Sequence, residues 1–165
     1  KAYTTRVGSG PFPTELFDNV GEYLGEKGQE FGTVTKRKRR CGWFDCVLLK
    51  QSIQLNGVTD IVLTKLDVLD ELKEIKLCVG YEIEGRSYDY LPNEEFLYDK
   101  IKPIYETING WQTTTKGINN FENLPKNAIH YIRTIEKLLD TKISIISTGP
   151  DRKETIDINS TLLNI

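Results

Sequence analysis

Two short apolar runs constrain this chain most: DIVLTK from Asp60 and KISIIS from Lys142, both rich in β-branched residues and both running straight into polar loops. Strands buried in parallel sheets read as nearly continuous apolar segments, so the first is expected to be a strand covered on both faces and the second a strand like it. The clearest helix precedes the second run. Pro125 suits its first turn, Ala128, Ile132, Ile135 and Leu139 form an apolar stripe, and Ile129, Tyr131 and Leu138 reinforce it. Helices alternating with such strands point to the α/β class. In open parallel sheets ligands bind outside the carboxyl ends of the strands, which is where Thr64-Lys65-Leu66-Asp67 and Ser147-Thr148-Gly149-Pro150 lie.

Residues 6–42 form a long connection with one short helical piece, PTELFDNVGEYLG, capped by Thr14. A helix follows from Asp45 as cap to a left-handed stop at Asn56-Gly57. Val68–Leu72 is expected to make a brief helical turn, and residues 75–83 and 86–91 an antiparallel pair about Glu84-Gly85. From Pro92 to Pro125 the sequence reads mostly as connection. Its 165 residues make one domain or a piece of a larger protein, and the absence of any Met together with the Lys1 start favours the piece.

Charge and cysteine usage exclude several classes. With 22 Lys+Arg against 24 Asp+Glu the net charge is -2, which argues against a nucleic-acid surface. No stretch approaches the roughly 18 apolar residues of a membrane span, so a soluble protein with no membrane partner is expected. Cys41, Cys46 and Cys78 show no CxxC spacing and His130 is the single histidine, so no metal site is expected. Three thiols fit a reducing compartment, and a cytoplasmic location is expected. His130 falls on the polar helix face with Arg133, Thr134 and Lys137, as a solvated histidine does.

Thr64-Lys65-Leu66-Asp67 has the T/N-K-x-D form that reads guanine. An ionised Asp accepts two hydrogen bonds, from N1–H and the 2-amino group, whereas adenine turns a lone pair at N1 toward the same carboxylate. Taken alone, four residues also fit an ordinary strand-to-loop turn. The same holds for Ser147-Thr148-Gly149, whose backbone N–H groups suit the guanine 6-oxygen. The run Lys36-Arg37-Lys38-Arg39-Arg40 follows Gly32-Thr33-Val34-Thr35 and precedes Cys41-Gly42-Trp43-Phe44, which pins it down. Its arginines suit a small anion held bidentately, and a solvated charged face is the plainer reading. There is no GxxxxGK[ST] loop and no Ser-His-Asp set, so no catalytic residues are expected here.

The segments YTTRVGSGPFPTEL (3–16), EFGTVTKRKRRCGWFD (30–45), LTKLDVLD (63–70), IKLCVGY (75–81), PIYETINGW (103–111) and IISTGPDRKET (145–155) resemble the C-terminal part of the adenylosuccinate synthetase family. The resemblance implies an α/β fold, the C-terminal part of a P-loop-NTPase-like, mostly parallel sheet enzyme with an antiparallel strand pair and long functional loops. It implies a substrate-loop region over 1–44 and a guanine-binding α/β region over 45–165. The implied activity is a GTP-dependent ligase that phosphorylates the 6-oxygen of IMP and lets the L-aspartate amine displace the phosphate. Mg2+, a homodimer, and an acid and base outside this segment belong to the same implication, and the segment by itself is expected to be inactive.

By the resemblance, Thr33, Val34, Thr35, Lys36 and Arg37 form the loop that closes on aspartate, with Arg37 on its carboxylate and Lys38 beside it. Arg39 reaches the nucleotide ribose and phosphate, Lys65, Leu66 and Asp67 read guanine, and Ser147, Thr148 and Gly149 face them. Where the family commonly has Thr-Thr-Gly-Arg, this chain has Val34-Thr35-Lys36-Arg37. The main alternative is a noncatalytic guanine-nucleotide or anion-binding module.

Overall fold

The computed structural model describes residues 1–34 and 36–158. In chain order the elements are β1 (Thr4–Arg6), α1 (Asn19–Lys27), β2 (Arg40–Gly42), β3 (Phe44–Asp45), α2 (Cys46–Asn56), β4 (Asp60–Leu63), β5 (Glu74–Ile83), β6 (Arg86–Tyr88), β7 (Lys102–Asn109), α3 (Lys126–Leu139), β8 (Lys142–Ser147) and β9 (Thr155–Asp157). They make a mixed α/β fold with three sheets among the described residues. Parallel pairs β3–β5 and β4–β8 combine with antiparallel β1–β2, β5–β6 and β8–β9. The chain divides into two compact units that cut across the 1–44 and 45–165 regions. One holds Lys1–Ala2, Ser52–Ile75 and the chain from Ile108 onward, and the other holds Tyr3–Gln51 and Lys76–Thr107.

In the second of these units, Val47, Cys78 and Tyr81 form a core with Leu48, Tyr88, Leu91, Ile101 and Tyr105 packed around it. The Tyr81 hydroxyl donates to Asp45 Oδ2 at 2.7 Å, and Asp45 Oδ1 accepts the Leu48 N–H at 3.0 Å, so Asp45 caps α2 as its position suggests. Burial pushes the Asp45 carboxyl above its usual range, and burial beside Asp45 pushes the Cys46 thiol up to about 12. A thiol so shifted stays protonated and unreactive at neutral pH. Glu84 (φ 51°) and Gly85 (φ 79°) are both left-handed, the geometry of the tight hairpin that joins β5 to β6.

Two expectations in this unit need correction. Helix α1 starts at Asn19, not in the Pro13-Thr14 turn, because Asp18 supplies the cap: its Oδ1 accepts the N–H groups of Val20 and Gly21 at 3.0 Å each. Thr14 is instead fully buried, and its carbonyl accepts the Trp43 N–H at 3.1 Å. A Cβ on Gly42 would strike that carbonyl, so the close approach requires glycine there. Residues 92–125 are also more ordered than a connection, since Lys102–Asn109 form the eight-residue strand β7 alongside β5.

In the other unit, β8 lies between β4 and β9, parallel to the first and antiparallel to the second. Helix α3 buries Ala128, Tyr131, Ile132, Ile135 and Leu139, while His130 is exposed. The Tyr131 hydroxyl donates to the Ala2 carbonyl at 2.7 Å, and the Ala2 N–H to the Thr64 carbonyl at 2.8 Å. β4 is not covered on both faces as its apolar run suggests. Among the described residues it pairs only with β8, and Val62 is 52% exposed. Gly57, at φ 62°, stops α2 where expected.

Candidate functional site

The parallel register of β4 and β8 ends with Leu63 opposite Ile146. The next residues are Thr64 on one strand and Ser147 on the other, so both candidate base-reading loops leave the carboxyl ends of neighbouring parallel strands. Lys65 turns left-handed (φ 60°) and starts a 3-10 turn over Leu66–Leu69. That turn buries Leu66 completely, so its side chain is a core group, while Asp67 stays half-buried at the turn's outer side.

Among the described residues, the Asp67 carboxylate accepts a hydrogen bond only from its own backbone N–H. Burial raises it above the usual carboxylate range; the neighbouring Asp70 and Glu154 add to the rise and Lys116 opposes it. A partly dehydrated acceptor with unused lone pairs is suited to a ligand carrying N–H donors.

On the facing loop the side chains have structural work. Thr148 is fully buried and donates to the Ile118 carbonyl at 2.7 Å, and Ser147 Oγ donates to the Gly149 carbonyl at 2.7 Å. A Cβ on Gly149 would run into the Glu154 carboxylate. The Thr148 N–H also donates to the Glu154 carbonyl at 2.9 Å, so the Thr148 hydroxyl and N–H and the Gly149 carbonyl all have partners within the fold.

The basic run occupies the other unit. Phe31 and Lys38 form an antiparallel bridge, the Gly32 N–H donates to the Arg37 carbonyl at 2.8 Å, and the Lys36 N–H to the Gly32 carbonyl at 2.9 Å. Thr33, Val34, Lys36, Arg37 and Lys38 thus lie in an exposed hairpin-like loop, while Thr35 lies outside the described residues. Arg39 Nη1 pairs with Glu30 Oε2 at 2.9 Å, and Glu30, fully buried, also accepts the Tyr3 hydroxyl at 2.6 Å. Glu30 is a positioning group that sequence reasoning missed, since nothing in Gln29-Glu30-Phe31 marks its burial. Arg40 is held by Glu15 at 2.8 and 2.5 Å and by the Gly8 and Gly10 carbonyls, which ties the 8–15 loop to β2.

Lys36 has φ 54°, the left-handed region that costs a side-chain-bearing residue about 1–2 kcal/mol. Position 36 is therefore one where the backbone favours glycine. Lys36→Gly should raise stability by up to about 1 kcal/mol, part of the relief being offset by glycine's chain entropy, and Lys36→Val should lower it by about 1 kcal/mol. Urea unfolding midpoints measure both, and identical midpoints would mean the backbone at 36 is not held left-handed.

Other groups were invisible to sequence reasoning. Asp70, 7% exposed, accepts from Trp111 Nε1 at 2.7 Å, from the Thr115 N–H at 2.7 Å and from the Thr115 hydroxyl at 2.8 Å. The only signal was the second aspartate of Asp67-Val68-Leu69-Asp70, which does not reveal its partners. Among the described residues no three His, Cys, Asp or Glu side chains are grouped to hold a metal ion, and no helix is long and apolar enough to cross a membrane.

A family model described as adenylosuccinate synthetase matches residues 1–156. The structure is similar to the fully ligated adenylosuccinate synthetase from Plasmodium falciparum, with 46% sequence identity and a TM-score of 0.91. That match covers 96% of this chain and 38% of the other, so the chain spans well under half the length of that relative.

Proposed function

The chain belongs to the adenylosuccinate synthetase family, and from that premise we propose that it carries the guanine-reading and aspartate-holding elements of a ligase that joins IMP and L-aspartate using GTP. The observation that carries the reading is the half-buried Asp67 carboxylate, with its unused acceptor capacity, at the carboxyl end of β4 beside the Ser147–Gly149 loop on β8. In this role Asp67 accepts from guanine N1–H and the 2-amino group, Lys65 lays its stem along the base, and the main chain at Ser147 and Gly149 meets the 6-oxygen. Arg37 takes the aspartate carboxylate, with Thr33, Val34, Thr35, Lys36 and Lys38 as the surrounding loop. Arg39, oriented by Glu30, faces the nucleotide ribose and phosphate.

The phosphorylated 6-oxygen of IMP is a better leaving group than the carbonyl it replaces, and the aspartate amine displaces it as phosphate. Cationic groups lower the cost of charge on the transferring group. This segment supplies arginines for that purpose. Among the described residues no three His, Cys, Asp or Glu side chains are grouped to hold the magnesium that the family implies. A homodimer is the working form on the same family reading.

The test compares GTP, ITP and ATP as co-substrates for the complete enzyme carrying this segment. ITP lacks the 2-amino donor and loses one charge-assisted hydrogen bond, so its kcat/KM should fall by about 10- to 150-fold. ATP also opposes a lone pair to the carboxylate and should fall further. Equal use of GTP and ITP would sink the assignment of Asp67, and guanine-nucleotide binding without turnover would favour a noncatalytic module.

A further inference from the structure

The two loops that flank the proposed base site are joined by a run of hydrogen bonds that lies outside both strands. The Asp67 carbonyl accepts the Asp70 N–H at 3.3 Å, and the buried Asp70 carboxylate accepts the Thr115 N–H at 2.7 Å and the Thr115 hydroxyl at 2.8 Å. The Thr115 carbonyl accepts the Ile118 N–H at 3.1 Å. The Ile118 carbonyl in turn accepts the Thr148 hydroxyl at 2.7 Å, and is the nearer of that hydroxyl's two carbonyl partners. Thr115 and Thr148 are both fully buried. A bond left unmade here strands a polar atom away from water, which is costly, so the run holds together as a unit.

The middle of the run is itself fixed. Trp111 Nε1 donates to Asp70 at 2.7 Å, and its ring packs on the buried Tyr131 ring with centroids 6.0 Å apart. The Gly110 N–H donates to the Lys73 carbonyl at 2.8 Å, and a Cβ on Gly110 would overlap the Leu72 carbonyl. Gly117 stands third in the Thr115–Ile118 turn at φ 82°, the position where a type II turn calls for glycine. Either loop can leave the other only by bending or breaking a bond in the run.

We propose that residues 111–118 are a strap that sets the spacing between the Asp67 turn and the Ser147–Gly149 loop, with Asp70, Thr115 and Thr148 as positioning residues for base selectivity. The proposal rests on the reading of Asp67 as the guanine acceptor and of the facing loop as the holder of the 6-oxygen. A base gripped on two edges is read accurately only when its two holders keep their separation, because hydrogen bonds weaken steeply once misaligned. A loosened gap costs GTP its bond from the 2-amino group to Asp67. ITP has no such bond to lose, so the preference for GTP over ITP narrows.

The test uses the complete enzyme with Thr115→Val, Thr148→Val, the double variant, and serine at each position. Valine removes the hydroxyl and nearly keeps the shape, whereas serine keeps the hydroxyl and deletes a buried methyl. Thr115→Val leaves the residue's N–H and the Trp111 bond on Asp70 in place, so the fold stays anchored in that variant. Each valine variant should raise KM for GTP by about three- to tenfold and narrow the GTP-over-ITP preference by a similar factor, while KM for IMP and for L-aspartate holds. The serine variants should lower the unfolding midpoint and keep the preference, a split that a merely structural role would not produce. The double valine variant should lose little more preference than either single one, because one cut already opens the strap. An unchanged preference in Thr115→Val, a preference lost as fully with serine as with valine, or losses that multiply in the double variant would each overturn the inference. If Asp67→Asn keeps full GTP selectivity, the base-site reading fails and takes this inference with it. If Asp67→Asn loses selectivity and both valine variants keep it, the failure belongs to the strap alone.

Discussion

Asp67→Asn should lower kcat/KM for GTP by about 5- to 150-fold in the complete enzyme, since one of two hydrogen bonds to an ionised acceptor is replaced by an N–H facing an N–H. The same change should improve use of XTP relative to GTP, because the amide accepts from N1–H and donates to the 2-oxo group. Stability should not suffer. Burial already holds the Asp67 carboxyl above its usual range, so ionising it costs more in the folded protein than in the unfolded chain. A raised carboxyl contributes stability that is full below its unfolded pKa and fades as pH rises through its folded pKa. The asparagine variant should lack that fade, and its unfolding midpoint at neutral pH should match or exceed the parent's. Unchanged GTP kinetics in a folded variant would remove Asp67 from the site.

The second large effect concerns the exposed loop. Arg37→Leu should reduce kcat/KM for aspartate by about 10- to 150-fold, the loss of a charge-assisted bidentate contact to a carboxylate. The Arg37 main-chain carbonyl, which accepts from the Gly32 N–H, survives the substitution. Lys36→Met and Lys38→Met serve as controls. Both residues are exposed, and their removal should change aspartate kinetics far less and in a salt-dependent way. Three equal, small, salt-dependent effects would make the run a generic charged surface, and Arg37 would lose its role without any change to the guanine reading.

What was legible in the sequence was local. Thr64-Lys65-Leu66-Asp67 could be placed because a strand and its loop are consecutive, and the parallel pairing of β4 with β8 then brought Ser147–Gly149 alongside. The Glu84-Gly85 hairpin and the α3 stripe were readable for the same reason, each being written within a few residues. β7 was missed because its pattern exposes most of its side chains, Ile108 being its one buried residue, and because Pro103 near its start reads as a breaker. The start of α1 was misplaced because Pro13-Thr14 imitates a helix entry, while Thr14 is drawn into the core by its contact with Gly42 and Trp43. The Asp70 hydrogen bonds to Trp111 and Thr115 span 41 and 45 residues, and the Glu30–Tyr3 bond spans 27. No spacing rule reaches that far, so the buried groups that anchor these loops were hidden where the candidate loop residues themselves were not.

The interleaving of the two units governs how this chain can acquire its structure. The unit that carries Asp67 takes its first two residues from the beginning of the chain, continues at Ser52–Ile75 and closes only with the stretch from Ile108 onward. A ribosome delivering the chain from its N-terminus has exposed all of the other unit before the last part of this one exists. The pairing of β4 with β8 must then wait some eighty residues, by the Asp60–Lys142 register. Long-range parallel pairing of this kind is slow and leaves aggregation-prone edges open. No single cut in the sequence separates the two units.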